Sequence, residues 1–252
     1  MIKKHIKKIE SLIFIIVLIV SGSFFSGNTF YSSALSNHID TVTVIKPGIN
    51  YEIENQLITS ILTRYHFKEF EINDSLSFSI FNRYLESLDN GKNYFLQSDI
   101  ESFNSEKYNL DDKLFKGDVQ FYYEVFNVYL KRLNERMSYV DELLDVEFDY
   151  SVDENYEFDR DKSDWAKNQS ELNEIWRKRL KNDALTYKLN GKDWEFIQKT
   201  LKKRYKNFAK FLNQYNSEDV FQLAMNSFTQ ELDPHTNYLS PVTSDNFKID
   251  MS

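Results

Sequence analysis

The chain reads as mainly α-helical, a multi-helix scaffold with long amphipathic helices. Three observations predict this. Glycine and proline are scarce, 6 and 3 in 252 residues, which leaves little turn chemistry for a many-stranded sheet. From Tyr51 almost to the end, apolar residues recur at three- and four-residue spacings, the period of one helix face. Hydrophobic and charged residues make up 41% and 28% of the chain, a globular composition that can fill a sizeable core.

The N-terminus has a different layout. Lys3, Lys4, Lys7 and Lys8 precede an apolar run, Leu12 to Val20, and Ser21, Gly22 and Ser23 follow it. This is the pattern of a bacterial export signal. Such a run rises about 14 Å as a helix, short of a hydrocarbon core of about 30 Å. Cleavage is expected after Ser23 or Ala34, with an uncleaved anchor as the alternative. Residues 1–34 are therefore read as signal, 35–50 as a polar linker holding Pro47-Gly48, and 51–252 as the helical domain. The expected location is the periplasm, with membrane contact only through an uncleaved signal segment.

Helices are expected in this order. Ile53, Leu57, Ile58, Ile61, Leu62 and Tyr65 mark the buried stripe of the first. Asp74 or Ser75 caps a second, carrying Leu76, Phe78, Ile80, Phe81, Tyr84, Leu85 and Leu88, and Asn90-Gly91 ends it with residues that tolerate left-handed geometry. Ser98-Asp99 opens a short helix through Phe103. The longest helix follows Gly117, with Asp118 as its cap. Its stripe runs Val119, Tyr122, Tyr123, Phe126, Tyr129, Leu130, Leu133, Met137, Val140, Leu143 and Leu144, with Lys131, Arg132, Glu135 and Arg136 on a solvated outer face. Phe148 to Asp164 breaks the period. Its acidic residues read as a solvated connector, since a calcium loop needs a glycine that is missing there. Ser170 and Asn173 mark the next helix start, and Leu172, Ile175, Trp176, Leu180 and Leu185 its face. After Asn190-Gly191, Asp193 caps a helix with Phe196, Ile197, Leu201, Tyr205, Phe208, Phe211 and Leu212 inward. Its outer lysines and Arg204 are expected to pair with acidic segments of the same fold. Ser217 caps the last helix, whose stripe is Val220, Phe221, Ala224, Met225, Phe228 and Leu232, and Asp233-Pro234 stops it.

Composition excludes several functions. A net charge of −8 argues against nucleic-acid binding, which needs basic surface. With no cysteine there are no disulfides or thiolate metal sites. No HExxH, GxSxG or phosphate-cradling glycine loop occurs, and no cofactor is expected. His235, beside Asp233 and Thr236, permits an acid–base dyad. The turn chemistry of Asp-Pro-His-Thr accounts for the same residues more simply, because Asp and Thr side chains bond free main-chain groups after a helix. His5, His38 and His66 stand alone. Trp165, Trp176 and Trp194 read as core or inter-helix wedges.

Seven ordered segments carry a resemblance. They are Phe81-Asn82-Arg83-Tyr84-Leu85-Glu86-Ser87-Leu88-Asp89, Tyr94 to Ile100, Trp165 to Leu172, Leu189 to Lys192, Arg204-Tyr205-Lys206, Asn216 to Phe221, and Asp233-Pro234-His235-Thr236-Asn237-Tyr238-Leu239-Ser240-Pro241. Together they resemble the N-terminal domain of tail-specific (C-terminal-processing) serine peptidases, in the long periplasmic branch. The resemblance implies a helical domain packed around PDZ and protease domains, which hydrolyse peptide bonds near a substrate's C-terminus with a Ser/Lys dyad. Those motifs have no counterpart in the chain, so no catalytic residue is carried over. Ser240 and Lys248 lie upstream of where the dyad falls and are not assigned to it. Expected partners are protein substrates, the PDZ and protease domains, and an adaptor protein. The alternative is a non-enzymatic helical module, derived from that scaffold, that binds a protein.

Overall fold

The structure, a computed structural model, describes residues 44–250. The expected signal segment, its cleavage points, His5 and His38 lie outside the described residues. Nine α-helices are present among those described: α1 Tyr51–Tyr65, α2 Asp74–Asp89, α3 Gln97–Phe103, α4 Leu110–Lys116, α5 Gln120–Leu143, α6 Gln169–Leu189, α7 Trp194–Leu212, α8 Ser217–Leu232 and α9 Pro241–Asp250. The mainly α expectation holds. One isolated parallel bridge, Leu96 with Ala166, ties the start of α3 to the connector before α6.

Helix α5 runs through the middle. It packs against α2, α6, α7 and α8, while α4 packs against both α1 and α2. Its first half is buried on nearly every side: Phe121, Tyr122, Tyr123, Val125, Phe126 and Tyr129 are all core residues. Several buried aromatic rings meet on this helix. Tyr84 meets Tyr122 edge-on at 4.9 Å, and Phe103 meets Phe121 edge-on at 6.4 Å. Such pairs add about 0.5–1.5 kcal/mol each beyond the area they bury. The Tyr84 hydroxyl donates to the Tyr122 carbonyl at 2.8 Å, so this buried ring leaves no polar atom unmet.

Four helices start on a side-chain cap. Asn73 accepts from the Ser75 and Leu76 N–H groups, Asn168 from Glu171, Asp193 from Phe196, and Asn216 from Glu218 and Asp219. Asp193 is the expected cap. The other three caps lie one or two residues before the expected positions, because Asn competes equally with Asp and Ser for the role. Asp118 still supports α5, its carboxylate accepting from the Gln120 N–H at 2.9 Å. Gly191, at the expected break before α7, is left-handed (φ 74°), whereas after α2 the left-handed residue is Lys92 (φ 50°), not Asn90 or Gly91.

Helix α4 has no counterpart in the sequence reading, since seven residues offer too few repeats to show a period. Gly117 ends it at φ 78°, and a Cβ there would lie 2.4 Å from the Glu52 carbonyl oxygen. The glycine thus lets α1 approach the end of α4.

Three orientations differ from expectation. Arg136, expected outside, is buried and donates to Asn173. Phe196, Phe208 and Phe211 of α7 are exposed, while Ile197, Leu201, Tyr205 and Leu212 face the core. Helix α1 is turned furthest. Asn55 and Thr59 are its buried residues, Ile58 and Leu62 are half-buried, and Ile53, Leu57, Ile61 and Tyr65 are exposed. Helix α8, the last one expected, matches its stripe at every position. Of the basic residues on α7, Lys202 pairs with Asp141 and Asp145 and Arg204 with Asp183, whereas Lys199, Lys203, Lys206 and Lys210 are exposed.

Candidate functional site

Helix α8 ends as the sequence predicts. Asp233 leaves helical geometry (φ −156°, ψ 132°) ahead of Pro234. Its carboxylate accepts from the His235 N–H at 2.8 Å, and its carbonyl accepts from the Thr236 N–H at 3.0 Å. The His235 N–H holds the Asp233 carboxyl below its usual range, against a weaker opposing effect of burial. The His235 ring nitrogen lies 3.3 Å from the same carboxylate, but the ring is 94% exposed. The Asp-Pro-His-Thr run is thus a turn that closes the helix.

After the turn the chain doubles back along α8. Three amide side chains spaced four residues apart on that helix hold it. Gln230 donates to the Asn237 side chain at 2.7 Å, Asn226 accepts from the Tyr238 N–H at 2.8 Å, and Gln222 accepts from the Ser240 N–H at 3.0 Å. The Tyr238 ring then packs edge-on to Phe221 at 5.3 Å, and Phe221 stacks on Tyr51 of α1 at 4.3 Å. Sequence reasoning missed this ladder. Its only signal was a row of amides at helical spacing on the face opposite the apolar stripe.

The end of α1 joins the same corner. The Lys68 ammonium donates to the Leu232 carbonyl at 3.3 Å, and His66 Nε2 lies 3.4 Å from the Thr236 hydroxyl. His66, isolated in sequence, is therefore a neighbour of the turn. The apolar stripe of α1, with Phe67 just after it, leads up to this corner: Ile53 is 67% exposed, Tyr65 77% and Phe67 80%.

Ser240 and Lys248 are not brought together by a hydrogen bond. The Ser240 hydroxyl pairs with Thr243 at 2.9 Å at the start of α9, and Lys248 pairs with Asp245 at 3.4 Å. Among the described residues no group of three His, Asp or Glu is placed to hold a metal ion, and no helix is long and apolar enough to cross a membrane.

The other resembling segments form joints of the fold. Asp89 closes the Phe81–Asp89 segment with its carboxylate, which accepts from the N–H groups of Asn93, Tyr94 and Phe95 at 2.7, 2.8 and 3.0 Å. Burial raises its pKa to about 6, against the pull of those three N–H groups. Trp176, fully buried, donates from its ring to the Asn93 carbonyl at 2.6 Å. Gln97 N–H donates to the Ala166 carbonyl at 2.9 Å, Glu171 accepts from the Lys167 N–H, and Asn168 caps α6. Of the three tryptophans, Trp176 belongs to the core, and Trp165 and Trp194 are half-buried against the edge of that core.

Comparison with known proteins agrees with this layout. The model of the tail specific protease N-terminal domain matches residues 58–242. A tail-specific protease of Haemophilus influenzae (strain ATCC 51907 / DSM 11121 / KW20 / Rd) is 37% identical over 205 residues, covering 80% of this chain. The chain spans 29% of that relative's length.

Proposed function

We propose that this chain, which belongs to the tail-specific protease N-terminal domain family, is the helical scaffold of an exported, periplasmic serine protease that processes proteins from their C-termini. In this reading the PDZ and Ser/Lys catalytic domains are supplied by sequence beyond Ser252. The observation that carries the proposal is the exit run. A scaffold must fix the direction in which the chain leaves it. Here Gln222, Asn226 and Gln230 hold residues 237–240 along α8, and Tyr238 pins them to the Phe221–Tyr51 stack.

The exposed stripe of α1 supports the same reading. Ile53, Leu57 and Ile61 present apolar area beside that exit, where a following domain can cover it. The basic n-region and apolar run at the N-terminus support export.

Two measurements test the proposal. Sequencing the gene beyond the Ser252 codon should reveal a frame that continues into PDZ and Ser/Lys protease domains. A stop codon followed by no protease sequence would favour the non-enzymatic module. The purified 252-residue chain should not cleave an unfolded protein, because the family's Ser/Lys motifs have no counterpart in it. Release of C-terminal fragments by this chain, with contaminating protease excluded, would refute that assignment.

A further inference from the structure

The connector between α5 and α6 does more than join them. Glu154 fastens it to α6 through Arg177 and the buried Lys181. Just beyond, Tyr156 and Phe158 lie over a cavity of about 450 Å³ between α6, α7 and the loop after α2. Its walls are largely aromatic: Tyr94, Tyr156, Phe158, Tyr205 and Phe208. This size and lining match an ordinary small-ligand site.

Arg179 sets its polarity. The guanidinium carbon lies over the Trp176 ring, 4.9 Å from its centroid, and the residue is half-buried. A cation held over a ring face spends none of its N–H donors on a conventional acceptor. Among the described residues none accepts a hydrogen bond from it. Of the other described arginines, Arg83, Arg132, Arg136, Arg160, Arg177 and Arg204 each donate to a side-chain acceptor, and Arg64 stands exposed on the surface. The nearby carboxylates are already engaged. Asp183 accepts from Arg204 and the Tyr205 hydroxyl, and Asp89 from three main-chain N–H groups. Burial pulls the pKa of Arg179 down, but Tyr205, Tyr94, Tyr156 and Asp183 outweigh it, so the group stays charged.

We propose that this cavity binds a carboxylate borne on an apolar or aromatic group, with the Arg179 fork as its anchor. A planar guanidinium edge matches a carboxylate with two parallel hydrogen bonds. The aromatic walls and the exposed rim residue Phe158 take the attached apolar group. A single uncommitted positive charge suits a monoanion better than a phosphate dianion. This site is independent of the protease reading.

The test uses N-acetyl-L-phenylalanine and its C-terminal amide, titrated into the full chain and followed by the Trp176 indole N–H resonance, assigned with Trp176→Phe. The free acid should bind with a dissociation constant of about 1 mM or below, the range a ligand of that size reaches. The amide should bind at least tenfold more weakly. Arg179→Gln should abolish binding with unchanged circular dichroism. Phe158→Ala, at a ring 84% exposed, should weaken it severalfold with unchanged circular dichroism. A blocked peptide ending in a free phenylalanine separates the two sources of such a carboxylate. Binding as tight as the small acid assigns a polypeptide C-terminus, and binding of the small acid alone assigns a free metabolite. Equal binding of acid and amide, or no response to the acid at 10 mM, would overturn the proposal.

Discussion

Replacing Asp89 by asparagine should destabilise the domain. The side chain is 3% exposed and accepts three main-chain hydrogen bonds, two of them on Oδ2. An asparagine offers one acceptor oxygen. Turned to keep the Tyr94 and Phe95 N–H groups on its oxygen, it sets its amide nitrogen against the Asn93 N–H, donor against donor. One buried N–H left unmet costs about 1–3 kcal/mol. Removing a buried charge offsets part of this, which leaves a loss of roughly 1 kcal/mol at pH 7. The pH dependence separates the two effects. The folded-state pKa is raised from 3.8 to about 6, so the wild type binds this proton more tightly when folded. Its contribution is fully present below pH 3.8 and is lost as pH rises through about 6. Between pH 5 and pH 7 that loss is roughly 1 kcal/mol. Asparagine does not titrate, so the gap between wild type and Asp89→Asn should widen as pH falls from 7 to 5. Urea unfolding followed by circular dichroism at both pH values measures it. Equal stability at pH 7, or a gap that narrows toward pH 5, would refute the reasoning.

Gly117→Ala should lower stability by about 2–4 kcal/mol, combining a left-handed residue with a clash on the Glu52 carbonyl, and thermal unfolding reads it directly. Glu154, held by Arg177 and then Lys181, has its carboxyl lowered to about 2, so its contribution is present above pH 4.5 and lost as pH falls toward 2. Glu154→Gln should flatten the acid limb of the stability curve in that window, opposite in sign to the Asp89 effect. Asn226→Ala strands the Tyr238 N–H, and limited proteolysis should cut within residues 237–241 faster than in wild type, with a stability loss of about 1–2 kcal/mol.

The parts of the fold legible in sequence were those where one face alone is apolar and a cap sits beside it. Helix α8 shows both, and every residue of its expected stripe is buried. Helix α5 was legible in length, but Arg136 was misplaced, because periodicity cannot tell that an arginine inside the stripe's margin finds a buried acceptor in Asn173. Helix α1 misled for a physical reason. A stripe of Ile53, Leu57, Ile61 and Tyr65 says that something apolar is to be covered, and not that this domain covers it. The inward Asn55 and Thr59 carry no such signal. The turn after α8 was legible from Asp233-Pro234, whose chemistry is local. The amide ladder and the Arg179 cavity were not, since both join residues from elements distant in sequence.

The scaffold reading is tested most directly on the α1 stripe. The region encoded after the Ser252 codon would be expressed separately and mixed with this chain, with complex formation followed by sedimentation velocity. A one-to-one complex is expected. Leu57→Lys with Ile61→Lys should weaken it at least tenfold while shifting the melting temperature little, because both side chains are exposed in the isolated domain. No complex at micromolar concentrations, or a complex indifferent to the paired lysines, would contradict the assignment of this face to the rest of the protease.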